Sequence, residues 1–194
     1  MNNTSNDEQA GVEPEDFQER YKRWIWASHG LAHFPLVAVS RAQSIGRQDI
    51  ELIREDQRRS RLDLAGLGTI EESAKLTDQI ASSEQWVLTA YELVRVVFEY
   101  YKKRPEIADL ALGDLVVEVR NIFARIRVPL AKMEASRKYT GNPGSDAPIP
   151  LPVLHQVLGL GWALSPEFVI SRRELADALL ELLEEIRRIK EREK

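Results

Sequence analysis

Between Ser82 and Lys138, apolar residues recur at helical spacing in two runs parted only by Arg104 and Pro105. In the first run Val87, Tyr91, Val94, Phe98 and Tyr101 fall three or four apart, which at 3.6 residues per turn stacks them on one face. Glu84, Glu92, Arg95, Glu99, Lys102 and Lys103 fall largely outside that stripe. The second run carries Leu112, Leu115, Val116, Val119, Ile122, Phe123, Ile126, Leu130 and Met133 at the same spacing. Pro105 ends one helix and suits the first position of the next, and so short a link predicts antiparallel neighbours facing each other. Pro129 removes the bond to the carbonyl of Arg125 and predicts a kink.

Upstream, Pro14 predicts a helix start with Glu15 and Asp16 in its first turn, and Phe17, Tyr21, Trp24, Ile25 and Ser28 trace its buried face. Trp24 is expected in the core, and Trp26, on another face, at a packing contact or an interface. Pro35 bends or splits this helix, and Gly46 is a plausible stop. The charged stretch from Arg47 to Arg61 reads as an exposed helix. Thr69 and Glu72 form a capping box for a helix that can run unbroken into the one at Trp86.

Downstream, Tyr139 to Pro152 holds Gly141, Pro143, Gly144, Pro148, Pro150 and Pro152, so residues 139–152 are expected to be a long loop, either a lid or a connector. Val153 to Leu158 suits a short helix. Leu160, Trp162 and Leu164, then Phe168 and Ile170, alternate on either side of a turn at Ser165 and Pro166, which predicts a β-hairpin. Ser171 and Glu174 form a second capping box, with Ile170 and Leu175 placed as a hydrophobic staple. The helix that follows carries a narrow stripe of Leu175, Leu179, Leu182, Leu183, Ile186 and Ile189. Such a stripe packs within its own chain or against a second copy, and a homodimer is expected. The fold class is mainly α, an antiparallel helical bundle over residues 14–194 with a small β-hairpin before the C-terminal helix.

Composition narrows the functional classes. The 194 residues are 43% hydrophobic and 30% charged, as in a globular protein with a real core. The absence of cysteine removes disulfides, thiol catalysis and cysteine-bound metal, and points to the cytosol. The polar first thirteen residues are expected to be a disordered tail rather than a signal peptide or an anchor. No window reaches the roughly 18 apolar residues of a membrane span. A net charge of -4 argues against nucleic-acid binding by the surface as a whole, but leaves room for a local basic patch.

Such a patch exists. Arg120, Arg125, Arg127, Lys132, Arg137 and Lys138 stand against Glu134 alone, a groove in prospect for phosphate, RNA or an acidic protein partner. Three histidines limit the chemistry. His29 and His33, four apart, could offer two metal positions on one helical face, but no third ligand or HExxH motif accompanies them. No G-x-S-x-G, phosphate-binding loop or dinucleotide fingerprint occurs, and no cofactor is implied.

The order of helices, with Val117 to Arg127 (V-E-V-R-N-I-F-A-R-I-R) in the second of the central pair, resembles HEPN-like helical domains, which place an Arg-Asn pair in this helix. Arg120 and Asn121 match that pair. In the family a His follows four to six residues past the Asn, and the two ends of the motif cleave RNA without metal, often across a dimer. Here those positions hold Arg125, Ile126 and Arg127, so no group there titrates near neutral pH. The resemblance therefore implies a catalytically silent member acting as a self-associating binding or regulatory protein. The alternative it allows is an RNase in which Arg120 and Asn121 borrow His29, and a second alternative is a metal sensor built on His29 and His33.

Overall fold

The computed structural model describes residues 16–35, 37–62, 68–104, 110–136, 146–155 and 157–192. The expected tail, Pro105, Lys138 and the first part of the 139–152 loop lie outside them. Five α-helices run through the described residues: α1 (Phe17–Ser28), α2 (Val37–Ser60), α3 (Ile70–Lys102), α4 (Leu110–Lys132) and α5 (Arg172–Arg192). A 3-10 turn, His29–Leu31, follows α1, and three strands precede α5: β1 (Leu151–His155), β2 (Gly159–Ser165) and β3 (Phe168–Ser171). No helix among the described residues is long and apolar enough to cross a membrane.

Local chemistry sets the helix starts. The Asp16 carboxylate accepts from the N–H groups of Gln18 and Glu19 at 2.9 and 3.1 Å, so Asp16 caps α1 rather than lying within its first turn. Thr69 Oγ1 accepts from Glu72 N at 3.2 Å, and α3 then runs 33 residues through Ser82 and Ser83 without interruption. At α5 the box is reciprocal: Ser171 Oγ accepts from Glu174 N at 3.0 Å, and a Glu174 carboxylate oxygen accepts from Ser171 N at 2.7 Å.

The central pair packs as the two stripes predict. Arg120 of α4 stands over Phe98 of α3 and Arg127 over Tyr91, so seven residues forward on one helix match seven backward on the other, the signature of antiparallel neighbours. Trp86, Val87, Val94, Val116, Val119, Phe123 and Ile126 are buried between them and the rest of the core. α4 passes through Pro129 and ends at Lys132; Met133 adopts a left-handed φ of 55° and is 74% exposed, so it leaves the stripe.

Three expectations are corrected. Gly46 does not stop a helix: it lies inside α2, where a Cβ would come within 2.4 Å of Trp24 Cγ, and its missing side chain lets α1 and α2 close on the indole. The stretch from Arg47 belongs to that same helix and is not wholly exposed, since Asp49, Ile50, Leu52, Ile53 and Arg59 are buried. Val153 to Leu158 is not a helix; β1 begins at Leu151, within the segment read as a loop, and pairs with β2 in antiparallel register from Leu151 opposite Ala163 to His155 opposite Gly159. Pro152 is tolerated because β1 is an edge strand, where a missing N–H costs no ladder bond.

The expected hairpin is β2 with β3, so the sheet has three strands in the order β1-β2-β3. β2 carries Leu160, Trp162 and Leu164 into the core against α5 and α2. Gly161 permits this closeness, because a Cβ there would lie 2.6 Å from the carbonyl oxygen of Ile170. α5 is the central strut, touching α1, the 3-10 turn, α4 and β2. Its Leu175, Leu179, Leu182, Leu183 and Ile186 are wholly buried within the chain, each stabilising the fold by about 1.5–3 kcal/mol.

Candidate functional site

Antiparallel packing of α3 and α4 sets basic side chains upon aromatic rings along one seam. The Arg120 guanidinium carbon lies 4.5 Å from the centre of the Phe98 ring, and Lys102 Nζ lies 5.9 Å from the same ring. Arg127 stands 5.3 Å from the Tyr91 ring; Arg104 stands 4.3 Å from the Tyr100 ring, but on the opposite face of α3, where Tyr100 packs on His33 and Phe34. Seven-residue spacing puts Arg120 and Arg127 two turns, about 10 Å, apart on one edge of α4. All four cations are within cation–π reach of a ring.

The other residues of the basic run are arranged differently. Arg125 forms a two-pronged ion pair with Asp146, Nε to Oδ2 at 2.9 Å and Nη2 to Oδ1 at 2.7 Å, and stacks 3.5 Å over Phe168. Its charge is therefore answered at the sheet side of α4. Lys132 is exposed at the end of α4, and Lys138 lies outside the described residues. Asn121 accepts from Arg120 Nη1 at 3.3 Å, so the Arg-Asn pair is self-engaged. Sequence reading did not include Lys102 in the site, although it follows Phe98 by four on the same helical face.

The histidines are not brought to this seam. α1 ends at Ser28, so His29 lies in the 3-10 turn and His33 beyond it, and the helical spacing expected to align them does not exist. His29 is exposed, and no hydrogen bond, ion pair or ring contact joins it to Arg120 or Asn121. His33 packs edge-on to Tyr100 with ring centres 5.1 Å apart. No group of three or more potential ligands gathers for a metal among the described residues. Arg23, six residues before His29, is held by Glu184 at 2.8 and 3.1 Å.

A second polar assembly, invisible in the sequence, crosses the core. Asp49 is fully buried and accepts from Arg20 Nε at 2.7 Å, Trp24 Nε1 at 3.1 Å and Arg172 Nη1 at 2.5 Å. Arg172, also fully buried, donates onward to Asp56 at 3.2 Å. Asp56 further accepts from Gln79 Nε2 at 2.5 Å and Leu160 N at 3.1 Å, and Gln79 Oε1 accepts from Arg59 Nε at 2.9 Å. Burial pushes the Asp56 carboxyl up, against the opposing pull of Arg172 and the Leu160 N–H. Burial likewise opposes the charge on Arg20, but Asp49 and Asp177 outweigh it and hold the guanidinium above its usual value. At the outer end Arg58, then Lys75, hold the Glu72 carboxyl down to about 2.

No protein family, curated protein or solved structure matches the chain.

Proposed function

We propose that the protein is a non-catalytic, cytosolic binding module that holds single-stranded RNA along the seam of α3 and α4. The observation that carries this reading is the row of Arg127 on Tyr91 and of Arg120 and Lys102 on Phe98. Single-strand binding combines cations that track the backbone with rings and guanidinium planes on which bases stack. The resemblance of the Arg120-Asn121 helix to HEPN-like domains points to the same ligand. Positions 125–127 offer no imidazole and Asn121 is turned onto Arg120, which favours retention of RNA over cleavage. Self-association remains part of the proposal but must use a surface other than the α5 stripe, which is buried within its own chain.

Fluorescence anisotropy with labelled single-stranded RNA tests it. Binding is expected at low salt, weakening steeply as salt rises, and Arg120→Ala should lower the salt slope by about 0.7, the share of one phosphate contact on a single strand. Failure to bind RNA at low salt removes the reading, and tighter binding of an acidic peptide transfers the surface to a protein partner. Cleavage that disappears in both Arg120→Ala and His29→Ala establishes the nuclease instead.

A further inference from the structure

From Ala147 to Ser165 the chain runs nineteen residues without an aspartate, glutamate, lysine or arginine, in a protein whose residues are 30% charged. Burial accounts for this in β2, which faces the core, but not in β1, where Leu151, Pro152, Leu154 and His155 are all exposed. Of the ten large apolar side chains exposed among the described residues, five lie on this sheet or beside it: Ile149, Leu151, Leu154, Val157 and Val169. An antiparallel sheet with one open face ordinarily alternates apolar inward with polar outward. β1 instead turns a leucine to each side, Leu151 opposite Ala163 and Leu154 opposite Leu160, at 64% and 50% exposure. Free edges are usually blunted by charge or by proline, and this one has Pro152 and no charge.

The backbone of that edge is open at one defined place. Leu160, opposite Leu154, donates its N–H to Asp56 Oδ1 at 3.1 Å rather than across to β1. Leu154 and Leu160 are therefore a non-hydrogen-bonded pair, so the N–H and C=O of Leu154 point away from β2 to the free edge. Alternation turns Pro152, two residues back, the same way, and its nitrogen has no hydrogen to offer. Within β1 a strand laid along this edge finds both a donor and an acceptor only at Leu154. So short a ladder needs apolar side chains from the incoming strand to support it.

We infer that β1 is the surface through which two copies of this chain associate, their β1 strands pairing antiparallel about a two-fold axis at Leu154 to join the two sheets into one of six strands. This rests on the self-association in the proposed function and gives it a place. At the axis each Leu154 N–H donates to the Leu154 carbonyl of the second copy, an exchange that a copy of the same strand makes by symmetry. Pro152 falls away from the axis, where its missing donor costs the central pair nothing. The second copy brings the same uncharged Leu151 and Leu154, so no charge is stripped of water, whereas a partner surface of average composition would carry charges into the contact. The other long apolar stripe, on α5, is used up within its own chain. An isologous contact of this kind closes at two copies. β1 is five residues, about 17 Å, long, so the interface belongs to the small class and the dimer should dissociate on the order of 100 μM.

Single-cysteine crosslinking of the full chain tests the geometry, since the protein has no cysteine of its own. A hydrogen-bonded antiparallel pair sets its Cα atoms about 5.5 Å apart, within the roughly 4.4–6.8 Å that a disulfide spans. Leu154→Cys is therefore expected to form a disulfide-linked dimer under mild oxidation about tenfold faster or more than Val169→Cys, which is 56% exposed on β3, away from the axis. Sedimentation equilibrium from about 10 to 500 μM should show the mass of the parent rise from 22.2 kDa toward twice that value. Leu154→Lys sets two like charges across the axis and should weaken association about tenfold or more, with the helical circular dichroism unchanged because the side chain is half-exposed. Association undiminished in Leu154→Lys, or Leu154→Cys crosslinking no faster than Val169→Cys, overturns this assignment and leaves self-association to another face. A parent that stays at 22.2 kDa overturns the assignment and self-association together, and a monomer that gathers on neutral lipid vesicles gives the patch to a membrane surface instead. RNA binding at the seam of α3 and α4 is read separately by anisotropy, so either claim can fail alone.

Discussion

Replacing Asp49 with leucine takes the centre out of the buried charge assembly. Asp49 is wholly enclosed and answers two guanidinium groups and the Trp24 indole N–H. In Asp49→Leu, Arg172 is left with Asp56 at 3.2 Å, Arg20 keeps the half-exposed Asp177, and the indole N–H has no acceptor. Removing one partner of a buried ion pair costs about 3–5 kcal/mol, because the stranded charge remains out of water. Against a total stability of about 5–15 kcal/mol, this is a large fraction. For a chain of this size it lowers the midpoint of thermal unfolding by roughly 6–20 °C. The informative comparison is the triple variant Arg20→Met, Asp49→Leu, Arg172→Met, which removes Asp49 with both its guanidinium partners and leaves Asp56 the Gln79 amide and the Leu160 N–H. Apolar replacement of a buried charge cluster is often neutral or stabilising, so the triple variant should regain part of what the single one loses. Urea unfolding of the three proteins measures both differences. A single-variant cost below about 1 kcal/mol, or a triple variant no more stable than the single, refutes the claim that stranded charge dominates.

Three further outcomes are expected. Gly46→Ala should destabilise by about 1–3 kcal/mol in chemical denaturation, because the new methyl would meet Trp24 at 2.4 Å and this outweighs the roughly 1 kcal/mol that alanine adds to a helix interior; a more stable variant contradicts that packing. Ser171→Ala should cost about 1 kcal/mol, read as a midpoint lowered by about 2–4 °C, through loss of the α5 cap. The Glu72 carboxyl is lowered to about 2 in the folded protein, so the unfolded chain binds its proton first as pH falls. Its stabilisation is complete above about 4.5 and lost on acidification toward 2, so over this window the thermal midpoint of the parent should fall more steeply than that of Glu72→Gln, and equal slopes would contradict the ion pairing.

Features written within one or two turns of chain are legible in the sequence: both capping boxes, the stripes of α3 and α4, and the alternation that makes β2 and β3. So is the shared edge of Arg120 and Arg127, since seven residues bring a helix back to nearly the same side. Features that depend on a distant partner are not. Arg20, Asp49, Asp56 and Arg172 look like ordinary surface charges until folding joins residues 123 positions apart. Arg125 reads as one more cation until Asp146, 21 residues on, answers it. β1 escapes notice because Pro152, with Pro148 and Pro150 just ahead of it, argues against a strand, an argument that holds for inner strands and fails at an edge. Gly46 carries two opposite messages, helix end or helix contact, and only the Trp24 indole against it selects the second.

The wiring of Asp49 also shapes how the molecule comes together. Its acceptors are filled from residues 20 and 172, and Arg20 reaches on to residue 177, a separation of 157. A partly assembled chain in which α1 and α2 have met but α5 has not would hold a carboxylate in a greasy setting with one guanidinium missing. Such a half-built species is penalised, so the protein should fold and melt in a single cooperative step, and a chain cut before Arg172 should fail to settle at all.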